Sequence, residues 1–362
     1  MSTSIATQSV QLKSDVRIDW VDYAKGISIF LVVLIHLFAS ITNNNQIDVR
    51  QYLAIIEGQA FYSGTMPVFF LLSGIFITRA IREPIRIYTL DKLRTLAYPY
   101  VLWSLITFIA TMVAASFTNT SFTPADMLRI LYEPVFQFWF LYSLFIVVML
   151  YGILIHLKFT PVHFLMAATA MFIIYHVFDL SLYSKEVIPY TFLLTFFFAV
   201  GAVYSQQIQN LVARLNTSTV LIMCVVAWSI WLAVVLSGVI TELSWLRTLV
   251  KVIGMIGILS FAVLLGRFHF ITEVQRWGRL SLQIYCAHWL ALVAYRIFLF
   301  RILRIDNGWL YFFGSVASGV YLPLFFNWFC NLIGFKFAFM LPKMGTKPRS
   351  SSQAEVIEAT HA

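Results

Sequence analysis

Charged residues are scarce in this sequence. Asp, Glu, Lys and Arg make up 11% of its 362 residues, whereas 60% are hydrophobic and the mean hydropathy is +0.83. Soluble globular domains carry about 25% charged residues, so this composition excludes an ordinary soluble protein. The sequence predicts a protein whose solvent is lipid.

Cysteine is also rare. Cys224, Cys286 and Cys330 all fall inside apolar runs, without the spacing of metal ligands or of a redox motif. We interpret them as small buried apolar groups and predict no metal site. The net charge of +9 comes from basic residues beside the ends of apolar runs. This pattern indicates membrane topology and does not predict a nucleic-acid partner.

No repeat, composition break or long polar stretch divides the chain. We predict an all-α integral membrane protein with a cytoplasmic N-terminal segment over 1–23, one polytopic membrane domain over 24–333, and a partly disordered cytoplasmic tail over 334–362. The first apolar run, Gly26 to Thr42, ends without a convincing small-residue cleavage site, so we expect it to stay in the mature chain.

Crossing a hydrocarbon core takes about 20 apolar residues in a helix. Ten stretches of the sequence qualify. They are 24–42, 60–78, 96–117, 136–156, 162–178, 189–205, 218–238, 247–266, 281–300 and 309–333.

The Lys and Arg residues predict the orientation. If the N-terminus is cytoplasmic, most of the 25 basic residues lie on that side. The opposite side receives Arg50, Arg129, Lys185, Arg247, Arg301 and Arg304, while Lys251 and Arg296 lie inside spans. This asymmetry predicts that both termini are cytoplasmic.

The first predicted helix carries a lysine and a histidine on one face. Lys25 and His36 lie eleven residues apart, which at about 100° per residue is close to three full turns. A rise of about 16 Å puts His36 near mid-bilayer. An imidazole at that depth predicts a general base, or alternatively a packing residue bonded to neighbouring helices. Lys25 could equally be an interfacial cation, with Asp22 one turn earlier as its partner.

The second predicted helix contains Ser73 and Gly74, a small pair that permits close backbone approach. A basic run follows, composed of Arg79, Arg82, Arg86, Lys92 and Arg94. Guanidinium groups bind phosphate well, so the run predicts a phosphate site. The same charges would also serve as a plain topology determinant.

Two further segments carry candidate groups. The fourth span opens with an aromatic cluster around Trp139, which predicts either an anchor at the outer interface or a surface on which sugars stack. The ninth span contains Tyr285 and His288. His288 is a second intramembrane imidazole and a rival to His36 as the base, with a hydrogen bond that ties helices together as its alternative role.

Together these segments resemble the acyltransferase family 3 membrane proteins, and within them the fucose 4-O-acetylase-like and other polysaccharide O-acetyltransferases. The resemblance is carried, in chain order, by the Lys25 to His36 spacing, Phe69-Phe70-Leu71-Leu72-Ser73-Gly74, the basic run to Arg94 with Tyr98-Pro99, Phe138-Trp139-Phe140-Leu141, and Gly278 through Ser281 and Tyr285 to His288.

The resemblance implies a ten-helix core in the cell inner membrane that transfers acetyl, or another short acyl group, from cytoplasmic acyl-CoA to a glycan hydroxyl outside. The acceptor would be exopolysaccharide, lipopolysaccharide or a lipid-linked oligosaccharide, and no cofactor would be bound permanently. It makes His36 and Lys25 the catalytic candidates, although many members have Arg where this sequence has Lys25. It places the donor near Ser73, Arg79, Arg82 and Arg94, and leaves Asp22, Trp139, Tyr285 and His288 as substrate or structural residues.

A transporter or flippase for a lipid-linked sugar or lipid is the alternative function. His36, Lys251, His288 and Arg296 would then line a path and no bond would be made. No inverted repeat is evident between the two halves of the sequence, which weakens this hypothesis. A purely structural or sensory protein would not need two imidazoles in the bilayer.

Overall fold

The computed structural model describes residues 18–43, 64–113, 124–180, 187–237 and 244–342, and within these ranges its regular structure is entirely helical. The α-helices, in chain order, are α1 (Asp19–Asn43), α2 (Thr65–Ala80), α3 (Ile85–Lys92), α4 (Tyr98–Val113), α5 (Trp139–His156), α6 (Pro161–Val177), α7 (Val187–Val203), α8 (Ser205–Arg214), α9 (Thr217–Ser237), α10 (Ser244–Phe268), α11 (Thr272–Arg279), α12 (Ser281–Ile297) and α13 (Gly308–Leu332). Short 3₁₀ turns lie at Pro124–Leu131 and Phe136–Phe138. The predicted all-helical class is confirmed, whereas the predicted domain limits fall partly outside the described residues.

Seven helical segments in the described ranges are long and apolar enough to cross a membrane. They are Asp19–Ile41, Ile85–Val113, Met127–His156, Thr217–Val234, Ser244–Phe268, Ser281–Ile302 and Gly308–Leu332. Helices α7 and α8 meet at a bend of 72° and would make an eighth span. The apolar helices Thr65–Ile77 and Pro161–Val177 are shorter than the usual spanning length. Each predicted stretch overlaps at least one helix, and the count of ten crossings and the sides of the termini stay predictions.

The basic run from Arg79 to Arg94, whose charges suggest a loop between two spans, is largely helical. Helix α3 begins directly after Pro84, where the missing proline N–H costs no helical bond. It continues through a π-helical turn, Leu93–Ala97, into α4. This π-helical turn ends two residues before Pro99. In a regular α-helix a proline ring clashes with the carbonyl four residues earlier, and proline has no N–H to donate to that carbonyl.

Helices α2 and α7 pack with their backbones in direct contact. A β-carbon added to Gly74 would lie 2.0 Å from the carbonyl oxygen of Phe198, and one added to Gly201 would lie 2.2 Å from that of Leu71. Only glycine permits this approach. The close approach predicted for the Ser73-Gly74 pair is confirmed.

Helix α1 lies at the centre of the bundle. It contacts α2 and α10 on one side and α11, α12 and α13 on another. Its inward face carries apolar side chains that are almost fully buried, including Val33 and Leu37. His36 lies on this helix, three residues after Val33.

Candidate active site

The backbones of α1 and α11 touch at two glycines. A β-carbon on Gly278 would lie 1.7 Å from the carbonyl oxygen of Asp22, and one on Gly26 would lie 1.9 Å from that of Val274. No larger residue fits at either position. This contact fixes the position of α1 relative to α11 and to α12, which follows α11 directly.

The contact aligns two histidines. His36 lies ten residues after Gly26, and His288 lies ten residues after Gly278. Since α1 and α12 run in the same direction from the glycine contact, equal offsets bring both residues to the same depth. The two imidazole ring centroids are 5.1 Å apart, with an angle of 43° between the ring planes. The two predicted rivals for the role of base therefore form one site.

The surrounding structure fixes the protonation pattern of the His288 ring. Its Nδ1 atom lies 3.0 Å from the carbonyl oxygen of Ile284 and 2.8 Å from that of Tyr285. A carbonyl can only accept, so Nδ1–H donates and Nε2 carries the lone pair of the neutral ring. Nε2 is buried and has no hydrogen-bond partner among the described residues. His288 thus presents an unused proton acceptor inside the bundle.

The two imidazoles differ in access. The His288 side chain is fully buried, whereas His36 is half-buried. The two rings are direct neighbours, given the 5.1 Å between their centroids. His36 is thus the more exposed of the two rings, and His288 is the more deeply buried.

An aromatic wall adjoins the imidazole pair. The Tyr285 ring lies 6.2 Å from that of His288 and 5.4 Å from that of Phe140. Within the predicted aromatic cluster, Phe138 and Phe140 are buried against α12, and its role as an anchor or as a sugar-stacking surface stays a prediction. Trp139 is half-buried and packs edge-on to Tyr190, at 5.1 Å between centroids.

Sequence reasoning missed Gln137, which lies in the middle of this aromatic segment. The Tyr285 hydroxyl donates to the backbone carbonyl of Gln137. The Gln137 side chain is 3% exposed, and neither atom of its amide has a partner among the described residues. The available signal was a single amide flanked by two phenylalanines, Phe136 and Phe138.

A charged contact lies at the N-terminal end of α1. Nε of Arg279 donates to Oδ2 of Asp22 at 3.3 Å, and the Asp22 side chain is nearly buried. The sequence offered Lys25 as the partner of Asp22, and the structure adds Arg279 from α11. Lys25 is half-buried one turn further along α1. The pairing of Asp22 with Arg279 reinforces the glycine contact beside it.

The predicted donor residues lie on consecutive segments. Ser73 is half-buried on α2, Arg82 is exposed in the turn after it, and Arg94 is half-buried in the π-helical turn. The side chain of Arg79 lies outside the described residues. Lys92 is paired with the neighbouring Asp91 at 2.9 Å. Arg82, Arg86 and Arg94 are thus the arginines of the basic run whose side chains the structure describes.

A second buried polar cluster lies between α7 and α10. The ammonium of Lys251, which is 4% exposed, donates to the Tyr190 hydroxyl at 2.8 Å and lies 4.6 Å from the centre of that ring. Since Tyr190 also contacts Trp139, the cluster joins the same aromatic wall from the other side. The described residues contain no group of three or more His, Cys, Asp or Glu that could hold a metal ion.

Comparison with known proteins gives one match. A model of the acyltransferase 3 family, described as an acyltransferase domain, matches residues 18–328. The matched range includes both histidines and the helices that align them. No curated protein and no solved structure matches the chain.

Proposed function

Because this chain belongs to the acyltransferase 3 family, and is thus a membrane acyltransferase, we propose that it is an O-acyltransferase. In this proposal it moves acetyl, or another short acyl group, from cytoplasmic acyl-CoA to a hydroxyl of an extracytoplasmic or lipid-linked glycan. It would work in the cell inner membrane, as a member of the fucose 4-O-acetylase-like subset, with no permanently bound cofactor.

The observation that carries the proposal is the pair of imidazoles at 5.1 Å inside a bundle of apolar helices. Ionisable residues inside a membrane are costly and usually functional. Neutral imidazole accepts a proton near neutral pH, as the attack of a sugar hydroxyl on a thioester requires.

In the proposed reaction, His36 removes the proton of the acceptor hydroxyl while that oxygen attacks the thioester carbonyl carbon. The carbon–sulfur bond then breaks, and the CoA sulfur leaves and takes up the proton. Nε2 of His288 accepts an N–H of His36, which leaves the other nitrogen of His36 as the base. An acyl group carried transiently on His36 is a variant of the same scheme.

The donor would enter from the cytoplasmic side. Arg82 and Arg94, with Arg79, would hold the phosphates of acyl-CoA through charge-assisted hydrogen bonds. The pantetheine arm would then run along α2 past Ser73 to His36. Lys25, on the face of α1 that carries His36, would contact the donor along this path.

The test is transfer by the purified protein. Reconstituted protein is given radiolabelled acetyl-CoA and membrane glycan fractions, and we expect a labelled product that alkali releases. His36→Ala, at a matched amount of folded protein, is expected to yield almost none. Label retained on the protein without an acceptor would indicate an acyl-histidine step. A wild-type protein that moves lipid-linked sugar across vesicles without forming an ester would favour the transporter and refute the proposal.

A further inference from the structure

Gln137 combines deep burial with two unused polar groups. Its side chain is 3% exposed, and both Nε2 and Oε1 are buried without a hydrogen-bond partner among the described residues. Burying an amide without partners destabilises a folded protein, so such groups are rare in native structures. A buried amide of this kind points to a ligand that supplies the missing hydrogen-bond partners.

Three contacts place Gln137 beside the imidazole pair. The Phe136 ring stacks on Trp289 at 4.4 Å, and the Phe138 ring packs edge-on to Tyr285 at 6.2 Å. The Tyr285 hydroxyl donates to the Gln137 carbonyl. Both neighbours of Gln137 thus pack against the stretch of α12, from Tyr285 to Trp289, that contains His288.

The backbone here is held in a strained conformation. Phe136 has φ of 50°, in the left-handed region that bulky side chains seldom adopt. Strain of this kind persists only where the surrounding structure enforces it, and it is concentrated at functional sites. In this case the turn at Phe136 sets the position of Gln137 directly before the start of α5.

The start of α5 adds a favourable electrostatic field. This helix has 18 residues, Phe138 is its N-cap, and no side chain caps it by a hydrogen bond. Part of its first turn is buried, since Phe140 and Leu141 are 7% and 2% exposed. The N-terminus of a helix carries a partial positive charge, which stabilises a negative group nearby.

We propose that Gln137 is a further catalytic residue, which stabilises the oxyanion formed during acyl transfer. When the acceptor oxygen bonds to the thioester carbon, the carbonyl oxygen becomes negative until the carbon–sulfur bond breaks. The Nε2 amide of Gln137 donates to that oxygen, within the field of the α5 N-terminus, and Oε1 accepts a hydroxyl of the acceptor sugar. This assignment rests on the proposed acyltransferase function. It adds Gln137, a residue to which that function gave no role.

The test compares Gln137→Met with Gln137→Asn and with the wild type. Methionine has nearly the same length and volume but lacks both polar atoms, while asparagine keeps the amide on a shorter stem. If Gln137 only packs, removing an unsatisfied buried amide is neutral or stabilising and leaves catalysis unchanged. If it stabilises the oxyanion, Gln137→Met keeps or raises the melting temperature, keeps KM for acetyl-CoA, and lowers kcat by about 10² to 10³.

Gln137→Asn is expected to fold normally and to retain more activity than Gln137→Met. A Gln137→Met protein with the kcat of the wild type would overturn the assignment. So would a loss of activity that follows a loss of folded protein, measured by thermal unfolding of the same samples. If the wild type itself forms no acetyl ester, the proposed function fails with this assignment, whereas an active wild type with an equally active Gln137→Met refutes only the role of Gln137.

Discussion

His36 and His288 face each other across the contact between α1 and α12, with ring centroids 5.1 Å apart. The two residues are 252 positions apart in the chain, as are Gly26 and Gly278, which bring the helix backbones together below them. The imidazole pair is therefore a product of backbone packing. It depends on two glycines that take no part in chemistry.

The two histidines are expected to contribute unequally to catalysis. His36→Ala should lower kcat by about 10² to 10⁴, because it removes the general base. His288→Ala should lose less activity, or lose it through instability. His288→Asn keeps a donor for the carbonyls of Ile284 and Tyr285 but has no acceptor at the position of Nε2. Activity lost in His288→Asn at an unchanged melting temperature would assign a positioning role to that nitrogen.

The measurement is the acetyl ester content of surface glycan in cells that express each variant at matched membrane levels. Wild-type ester content in the His36→Ala strain would refute the assignment of His36.

The donor arginines are expected to affect binding more than turnover. Arg94→Ala and Arg79→Ala each remove a charge-assisted contact with phosphate, worth about 1.5–3 kcal/mol, or about 10- to 100-fold in affinity. The apparent KM for acyl-CoA should rise by that factor while kcat changes little. Arg214→Ala, at the exposed end of α8, is the control. An unchanged dependence on acyl-CoA concentration would reassign Arg79 and Arg94 to topology.

The buried Lys251 is expected to couple to Tyr190 in stability. Tyr190→Phe removes one acceptor from an ammonium that is 4% exposed, and should cost about 1–3 kcal/mol. In a Lys251→Met background the same substitution should cost much less, because the donor is already gone. Thermal unfolding of the four proteins in detergent measures the coupling. Equal effects of Tyr190→Phe in both backgrounds would show that the hydrogen bond contributes nothing.

With ten crossings, we expect the residues after Asn44 and those after Arg349 to lie on opposite sides of the membrane. A reporter fused after Asn44 should face the extracytoplasmic side, and one fused after Arg349 should face the cytoplasm. If only the seven segments that are long and apolar enough crossed the membrane, both reporters would lie on the same side. Reporters on the same side would therefore show that the count of ten crossings is wrong.

Much of the fold was predictable, because lipid demands long apolar helices and the sequence shows them directly. The helical extension through α3 was not, since Arg86 and Lys92 mark it as a polar connection while its backbone continues into α4 through the π-helical turn. Helix α8 was missed for a similar reason, because it is short and amphipathic and follows a sharp bend after Val203.

The candidate site was predictable only residue by residue. His36 and His288 stand out as imidazoles in apolar runs, but nothing in the local pattern brings them together. Their meeting depends on the approach of Gly26 and Gly278, which is a long-range property of packing. Gln137 was not predicted as a site residue, because burial is not visible in sequence and the aromatic residues around it suggested a lipid interface.

The equal spacing from glycine to histidine on the two helices also determines which sequence changes the fold can absorb. One residue inserted between Gly26 and His36 would turn His36 by about 100° around α1 and move it by about 1.5 Å along the axis, while His288 would stay in place. Exchanges among leucine, isoleucine and valine in that stretch would leave the rings opposed. Segment length, more than the identity of its apolar residues, is therefore what variants of this protein have to preserve.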